Sequence, residues 1–468
     1  MSVFNEANSI GAVLDRVVSA PATYFQNEHI VPELIVVDNG SRDRSHELVE
    51  EFAQAHPEVA LRLIQLETNI GKGGAIRMAL AEARSDFCII QDADFEYDPA
   101  DYQRLLRPLL ADDADVVLGS RVMYGAQRRP LGFWQAVANR VISGVAGMAV
   151  GLAFSDVETG FKAFRTSLAK SIPLLSNTFG LDPELVIQFA KRRARFVEVP
   201  ISYRGRTYEE GKKIRPLDAL DALWIIFRTS VFTEAHKDPA ACILAAMSSA
   251  KRFNRWMADT LAPRLRGEVL ELGAGIGNLT LLLSRGAHRY LATDTDDEHL
   301  RELRSRLEYR LDIDVGQFDF SVTSDVRRFQ QSADTVVCLN VLEHVPDDTT
   351  AFENIRCCLR PGGTAVILVP QGPELFGSLD EVLRHKRRYT RQDLREKMSA
   401  AGFKSLEIID FNRASRPGWF LNSRVLRRRR LSRVQLYVFD LLVPLLRRID
   451  DKFPWPGNSL IAIGKVGD

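Results

Sequence analysis

The chain has 468 residues, 46% hydrophobic and 26% charged, which is too long for one ordinary domain and too apolar for a disordered protein. A formal net charge of +1 gives no global electrostatic case for a nucleic-acid partner. Five cysteines, odd in number and without a CxxC pair, argue against a disulfide framework and for buried thiols in a reducing cytoplasm.

The chain opens on Val3-Phe4-Asn5-Glu6, which reads as the end of a strand, with a helix from Ala7 onward. Ordinary strands run about 5 to 6 residues, so this first one is expected to be truncated. Residues 30–38 predict a second strand, followed by the turn Asn39-Gly40-Ser41 and a helix through Phe52. Leu61 to Leu66 predicts a third strand, and Gly71 to Arg84 the entry to a helix. Phe87 to Ile90 is an apolar run that ends in Asp92 and Asp94, two carboxylates one residue apart. In an extended backbone such residues point the same way, so both could face one hard cation, Mg2+ or Mn2+, that also holds a diphosphate. An acidic turn is the plain alternative. Strands alternating with helices predict a parallel sheet with its sites at the strand C-termini.

VFNE, VVDNGSRDRS, NIGKGGAIRMAL and QDADFEYDP, in this order, resemble a family 2 glycosyltransferase of the GT-A fold. SDVETGFKAFR and YRGRTYEEGKKI narrow the resemblance to the polyprenyl-phosphate branch, similar to dolichol-phosphate-mannose synthases. It covers roughly residues 1–230. The resemblance implies that Glu6 and Asp38 contact the nucleoside of a UDP- or GDP-sugar, that Lys72 and Arg77 lie near the diphosphate, and that Asp92 and Asp94 hold the metal. An inverting transfer also needs a base or positioning carboxylate near the attacking oxygen. Asp156 is the first candidate, with Glu158, Asp182 and Glu184 behind it. Arg206, Lys212 and Lys213 could clamp an acceptor phosphate. Lys191, Arg192, Arg193 and Arg195 are read equally well as a solvated helix face.

Val141 to Phe154 is uncharged but shorter than the roughly 18 residues a spanning helix needs, so a packed or interfacial helix is expected. Residues 217–232 form an amphipathic pattern that suits either a membrane surface or the domain itself. Residues 233–239 read as a linker between a first domain, 1–232, and a second, 240–468.

In the second half, Glu268 to Leu272 predicts a strand, Gly273, Gly275 and Gly277 a loop, and Leu279 to Ser284 a helix. Asn278 stands where a dinucleotide fingerprint would place its third glycine. VLELGAGIGN instead resembles motif I of class I S-adenosylmethionine (SAM)-dependent methyltransferases, and VVCLNVLEHV and LRPGG complete that pattern. The resemblance implies a Rossmann-like second domain with Glu271, the three glycines, Asp294 and Asp319 around SAM. Asp319 is also readable as a turn residue, and Glu343-His344 as a strand end. His344 and His385 are candidate bases for a hydroxyl acceptor. His385, Arg387, Arg388 and Tyr389, in a segment that resembles the acceptor side of a methyltransferase subgroup, could hold an anionic or sugar acceptor; a charged lid is the alternative.

Arg427 to Arg430 precede an apolar helical stretch, Val434 to Leu446, which suggests an interfacial anchor or a solvated helix end. Ser459 to Val466 predicts a last strand. The expectation is therefore an α/β chain of two domains, GT-A then class I methyltransferase, acting at the cytoplasmic membrane face on a glycoconjugate. The alternatives are a working methyltransferase with an inactive first half, or a first half that only binds.

Overall fold

The computed structural model describes residues 1–24, 32–127, 129–205, 216–307 and 310–467. It divides into two compact units, Met1–Lys237 and Asp238–Asp468. The expected acceptor-phosphate residues Arg206, Lys212 and Lys213 lie outside the described residues.

In the first unit, β1 (Ser2–Val3), β2 (Glu33–Asp38) and β3 (Ala60–Gln65) form a parallel sheet in that order. A second sheet holds β4 (Phe87–Ile89), β5 (Val116–Ser120), β6 (Lys162–Arg165) and β7 (Phe196–Pro200) in the order β4-β6-β5-β7. In it β6 runs antiparallel to both neighbours and β5 parallel to β7. A parallel bridge between Ser2 and Asp92 links the two sheets. The two residues of β1 therefore stand at the join, and the Met1 ammonium, buried there, donates to the Ile35 carbonyl at 2.7 Å.

Side chains alternate across the second sheet as its pleat requires. Val116, Leu118 and Phe164 enter one core, and Val117 and Ala163 the other. With both faces covered, the strands read as unbroken apolar runs. The helix expected within Val141 to Phe154 is Phe133–Val150 and ends at Gly151 in the left-handed conformation. Thr233 to Lys237 is fastened to the first unit: the Lys191 ammonium donates to the Thr233 carbonyl at 2.7 Å and the Lys237 amide to the Ser171 carbonyl at 2.8 Å.

The second unit contains one seven-stranded sheet. Its strands are β8 (Glu268–Leu272), β9 (Arg289–Asp294), β10 (Ile313–Gln317), β11 (Ala333–Leu339), β12 (Leu359–Pro370), β13 (Lys404–Phe411) and β14 (Ser459–Lys465). The order is β10-β9-β8-β11-β12-β14-β13. The first five are mutually parallel, and β14 inserts antiparallel between β12 and β13. Val336 and Cys338 face one core and Val337 and Leu339 the other, so this sheet too is covered on both sides. The sheet reverses direction at β8, whose neighbours lead outward to β9 and to β11. Such a switch point opens a crevice at the strand C-termini.

Candidate active sites

The first site is built at the C-terminal ends of β2 and β4. Asp38, the last residue of β2, is buried; its Oδ1 accepts the Ser41 amide at 3.1 Å and its Oδ2 lies 3.3 Å from His46 Nδ1. The next residue, Asn39, ties this loop to the one after β3 by accepting the Ile70 amide at 2.9 Å and donating to Asn69 at 3.0 Å. The helix Gly71–Glu82 follows, and its first turn carries Lys72. Gly71 has φ +82°, and a Cβ there would sit 2.1 Å from the Asn177 carbonyl oxygen, so only glycine lets the helix start dock on that loop.

Lys72 Nζ lies 2.7 Å from Asp92 Oδ1 and 4.0 Å from Asp182 Oδ2. Asp182 also takes the Lys162 ammonium at 2.6 Å. Anions and cations thus alternate from Asp92 through Lys72 and Asp182 to Lys162. Burial works against the Lys72 ammonium, but Asp92 and Asp182 outweigh it and hold its pKa above the ordinary lysine value. Asp94 is half-buried, and its Oδ1 accepts the Glu96 amide at 3.0 Å. Glu6, half-buried, accepts the Ser9 hydroxyl at 3.0 Å.

In the second unit, Gly273, Gly275 and Gly277 all adopt positive φ after β8. A Cβ at Gly273 would meet Val341 Cγ2 at 2.4 Å, and one at Gly277 would meet Leu303 at 2.5 Å. Gly275 differs: its nearest neighbour would be Leu244 at 3.9 Å, which leaves its face open to a ligand. Its amide donates to Asp294 Oδ2 at 2.8 Å, while Asp294 Oδ1 accepts the Asp296 amide at 3.0 Å. Burial opposes the Asp294 charge, but His299 and these two amides hold its pKa below the ordinary value.

Residues 1–170 match the model of glycosyl transferase family 2. A dolichyl-phosphate hexose transferase of Haloferax volcanii is 32% identical over 212 residues, covering 45% of this chain and 83% of that protein. The chain belongs to glycosyl transferase family 2. An undecaprenyl-phosphate 4-deoxy-4-formamido-L-arabinose transferase of Edwardsiella ictaluri is 29% identical over 210 residues, 45% of this chain; the chain spans 60% of that relative's length. Residues 248–408 of this family 2 protein match a methyltransferase domain model. That match lies within its second unit. A SAM-dependent methyltransferase from Archaeoglobus fulgidus has 15% identity and a TM-score of 0.32, covering 46% of this chain and 94% of that structure.

Several expected site residues of this family 2 protein turn out to be scaffold. Asp156 is fully buried, and Arg121 grips it through Nε and Nη2 at 2.8 Å each, with the Arg121 amide at 2.9 Å. Burial disfavours its charge, yet Arg121 holds the pKa below the ordinary value, so Asp156 is the enclosed counterion of Arg121, without a solvent-exposed face. Glu184 is buried too; it accepts the Leu175 and Ser176 amides at 3.0 and 2.8 Å and pairs with Arg228 at 3.2 Å. Arg77 donates to the Ser176 carbonyl and to Asn177, which ties it to that loop.

Glu158 has a different environment. It is half-buried, its Oε1 accepts no hydrogen bond, and burial together with Asp182 pushes its pKa up to about 7.

The methyltransferase unit repeats this sorting. Glu271 is buried at the end of β8, accepts the Thr280 hydroxyl at 2.7 Å and is raised to about 7 by burial. Asp319 closes a turn, with Oδ1 accepting the Ser321 amide and hydroxyl at 2.8 and 2.6 Å. Arg388 is buried on Asp380 at 2.8 Å with its guanidinium 5.0 Å over the Trp419 ring. Tyr389 is fully buried and donates to Asp348 at 2.8 Å, and Arg387 pairs with the same Asp348 at 2.7 Å. Arg388 and Tyr389 are therefore turned inward, while Arg387 stays half-buried.

His344 is exposed, and its ring meets that of His385 edge-on with centroids 4.9 Å apart. The sequence reading missed Arg121, Lys162 and Asp380. A lysine inside the apolar stretch GFKAF and an arginine closing VVLGSR were the available signals, because a buried cation requires a buried anion.

Proposed function

We propose that the first unit transfers a sugar from a UDP- or GDP-linked donor to a polyprenyl phosphate, and that the second transfers a methyl group from SAM to the same glycoconjugate or a pathway neighbour. The observation that carries the first activity is Lys72 standing between Asp92 and Asp182, next to Asp94, at the mouth of the β2 and β4 loops. The similarity to a dolichyl-phosphate and an undecaprenyl-phosphate sugar transferase supports the acceptor class.

Breaking the sugar–phosphate bond builds negative charge on the leaving diphosphate, and a fixed ammonium at that point stabilises it. Asp92 and Asp94 offer hard oxygens that suit Mg2+ or Mn2+, which when bound would neutralise the same charge. An acceptor phosphate is already ionised at pH 7, so the protein need only orient it. In the second unit the open face of Gly275 would receive SAM, with Asp294 at the ribose.

Two apolar surfaces support a peripheral position at the cytoplasmic membrane face. Phe133 and Trp134 are exposed on Phe133–Val150, as are Trp224 and Phe227 on the helix Pro216–Val231 packed against it. In the second unit Val434, Tyr437, Val438, Leu441 and Leu445 form one exposed stripe of the helix Arg433–Ile449, after Arg427 to Arg430. Each basic residue near an anionic surface contributes about 1 kcal/mol. No helix among the described residues is long and apolar enough to cross a membrane.

Calorimetric titration of the full chain with UDP and with GDP, each with and without Mn2+, tests the donor site. Mn2+-dependent binding that disappears in Asp94→Ala supports the reading and identifies the base. A second reading, in which Lys72 alone serves the diphosphate, is favoured by its 2.7 Å hold on Asp92. It predicts binding that ignores Mn2+ and is lost in Lys72→Ala. No nucleotide binding while SAM still binds would sink both and leave the methyltransferase alone active.

A further inference from the structure

A carboxyl group that leaves water for a protein interior is normally met by hydrogen-bond donors. Glu343 breaks this rule in the methyltransferase unit. It is fully buried, and neither Oε1 nor Oε2 accepts a hydrogen bond. Glu271, in the same unit and equally enclosed, is satisfied by Thr280. What Glu343 faces instead is imidazole: Oε1 lies 3.8 Å from His385 Nε2. Together with His344, one ligand atom from each residue falls within 4.8 Å of the others. Among the described residues this is the one trio of His, Cys, Asp or Glu side chains that meets that condition.

The histidine is oriented for ligation. His385 Nδ1 lies 2.9 Å from Asp380 Oδ1, a carboxylate that is itself buried and held by Arg388 at 2.8 Å. A proton on Nδ1 shared with Asp380 leaves the lone pair on Nε2, the nitrogen that points at Glu343. Carboxylate, histidine and open site in series is the outer-shell arrangement by which proteins fix a metal-binding imidazole. The Lys386 amide donates to the Glu343 carbonyl at 2.7 Å, which holds the two ligand segments side by side. His344 is exposed and can swing the remaining distance onto an ion with bonds of about 2.1 Å.

From this geometry we infer that Glu343, His344 and His385 form a binding site for a divalent first-row transition ion, with open positions that take a hydroxyl oxygen of the methyl acceptor. Two imidazoles and one carboxylate suit such an ion better than Mg2+ or Ca2+, which prefer oxygen alone. The position is apt: Val341, two residues before Glu343, packs on Gly273 of the open glycine loop. The site is separate from Asp92 and Asp94, which belong to the other unit. Metal binding stands on the side chains alone; presentation of an acceptor hydroxyl rests on the methyltransferase reading.

The test uses the full chain with Asp92→Asn and Asp94→Asn, so that the first unit contributes no acidic pair, titrated with Co2+. The expected result is one ion per chain with visible ligand-field bands, and paramagnetically shifted imidazole N–H proton resonances, one of them the His385 proton shared with Asp380. His344→Ala should weaken Co2+ at least about 10-fold, the lower end of what even outer-shell losses cost. His344→Ala with His385→Ala should remove the shifted resonances. SAM titration of each variant reports whether the unit is folded; if the double variant fails it, the exposed His344→Ala alone decides. Co2+ binding unchanged in His344→Ala, or no binding by the parent chain, overturns the site. A bound ion whose removal leaves methylation untouched would keep the site and refute its hold on the acceptor.

Discussion

In the first unit the carboxylate at the strand end, Asp92, is met by Lys72 at 2.7 Å, and that lysine is shared with Asp182, which takes Lys162 as well. In the second, Glu343 lies deeper than Asp92 and has no hydrogen-bond donor at all. Two carboxylates in strand-end loops of two α/β units are therefore treated in opposite ways. Asp92 is paired with a fixed ammonium. Glu343 is enclosed without a donor, and burial pushes its pKa up to about 8. A count of charged residues would not separate them; the partner of each carboxylate does.

The comparison is broken most severely by removing a partner. Asp156→Ala leaves Arg121 buried without its anion, and the loss should approach about 3–5 kcal/mol of stability in the first unit, measured by urea denaturation. If instead the variant folds normally and loses only turnover, Asp156 is a reacting group and not scaffold. Next in size, Lys72→Met strips the ammonium from between Asp92 and Asp182. Metal-free nucleotide affinity should fall about 10- to 100-fold, the scale of a charge-assisted hydrogen bond, in a calorimetric titration.

The glycine loop allows a finer comparison inside the second unit. Gly273→Ala and Gly275→Ala both force alanine to positive φ, a strain of about 1–2 kcal/mol. Only the first also drives a Cβ into Val341. Gly273→Ala should therefore lower the melting temperature further than Gly275→Ala. SAM affinity should fall in Gly275→Ala even where the fold survives, because the added methyl occupies the open face. Equal SAM affinity in wild type and Gly275→Ala would show that the cofactor does not approach there.

The smallest effect is a slope. Burial raises Glu271 to about 7 from an ordinary 4.5, so its neutral form is the one that suits the fold. A group with a raised folded pKa contributes stability below its unfolded value and loses it as pH rises through the folded one. Second-unit stability should thus decline between about pH 4.5 and 7, by less than about 1.4 kcal/mol per pH unit for one proton. Glu271→Gln, which keeps the Thr280 bond, should make that slope shallower in denaturation curves taken across the window, with Glu343, whose buried carboxyl is raised to about 8, carrying the remainder; an unchanged slope would show that Glu271 does not contribute to it.

Much of the organisation was legible from local pattern. The acidic pair after an apolar run, the glycine loop after β8 and the amphipathic helices announce themselves because each depends on neighbours a few residues away. Boundaries moved slightly: the strand expected from residue 61 is Ala60–Gln65, and the one expected through Ile90 stops at Ile89. Strands β5, β6 and β7 escaped notice, since strands covered on both faces show no alternation to distinguish them from other apolar runs. Residues 233–239 are polar enough to suggest a linker, yet Thr233 is held to the first unit by Lys191 across 42 residues, and that unit runs on to Lys237.

The sequence by itself determined two α/β units, a family 2 glycosyltransferase and a methyltransferase, and it located their strand-end loops. Those features rest on spacing and residue type, which the chain carries wherever it folds. Only the tertiary structure decided which acidic groups are spent and which are free. Asp156 meets Arg121 across 35 residues of chain, Lys72 meets Asp182 from another helix, and Arg388 and Tyr389 turn inward to Asp380 and Asp348. Such pairings are set by the order in which strands lie in a sheet, as with β14, last in the chain yet inserted between β12 and β13. The desolvation that makes an unpaired Glu343 costly, and so informative, exists only once that order has closed the core around it.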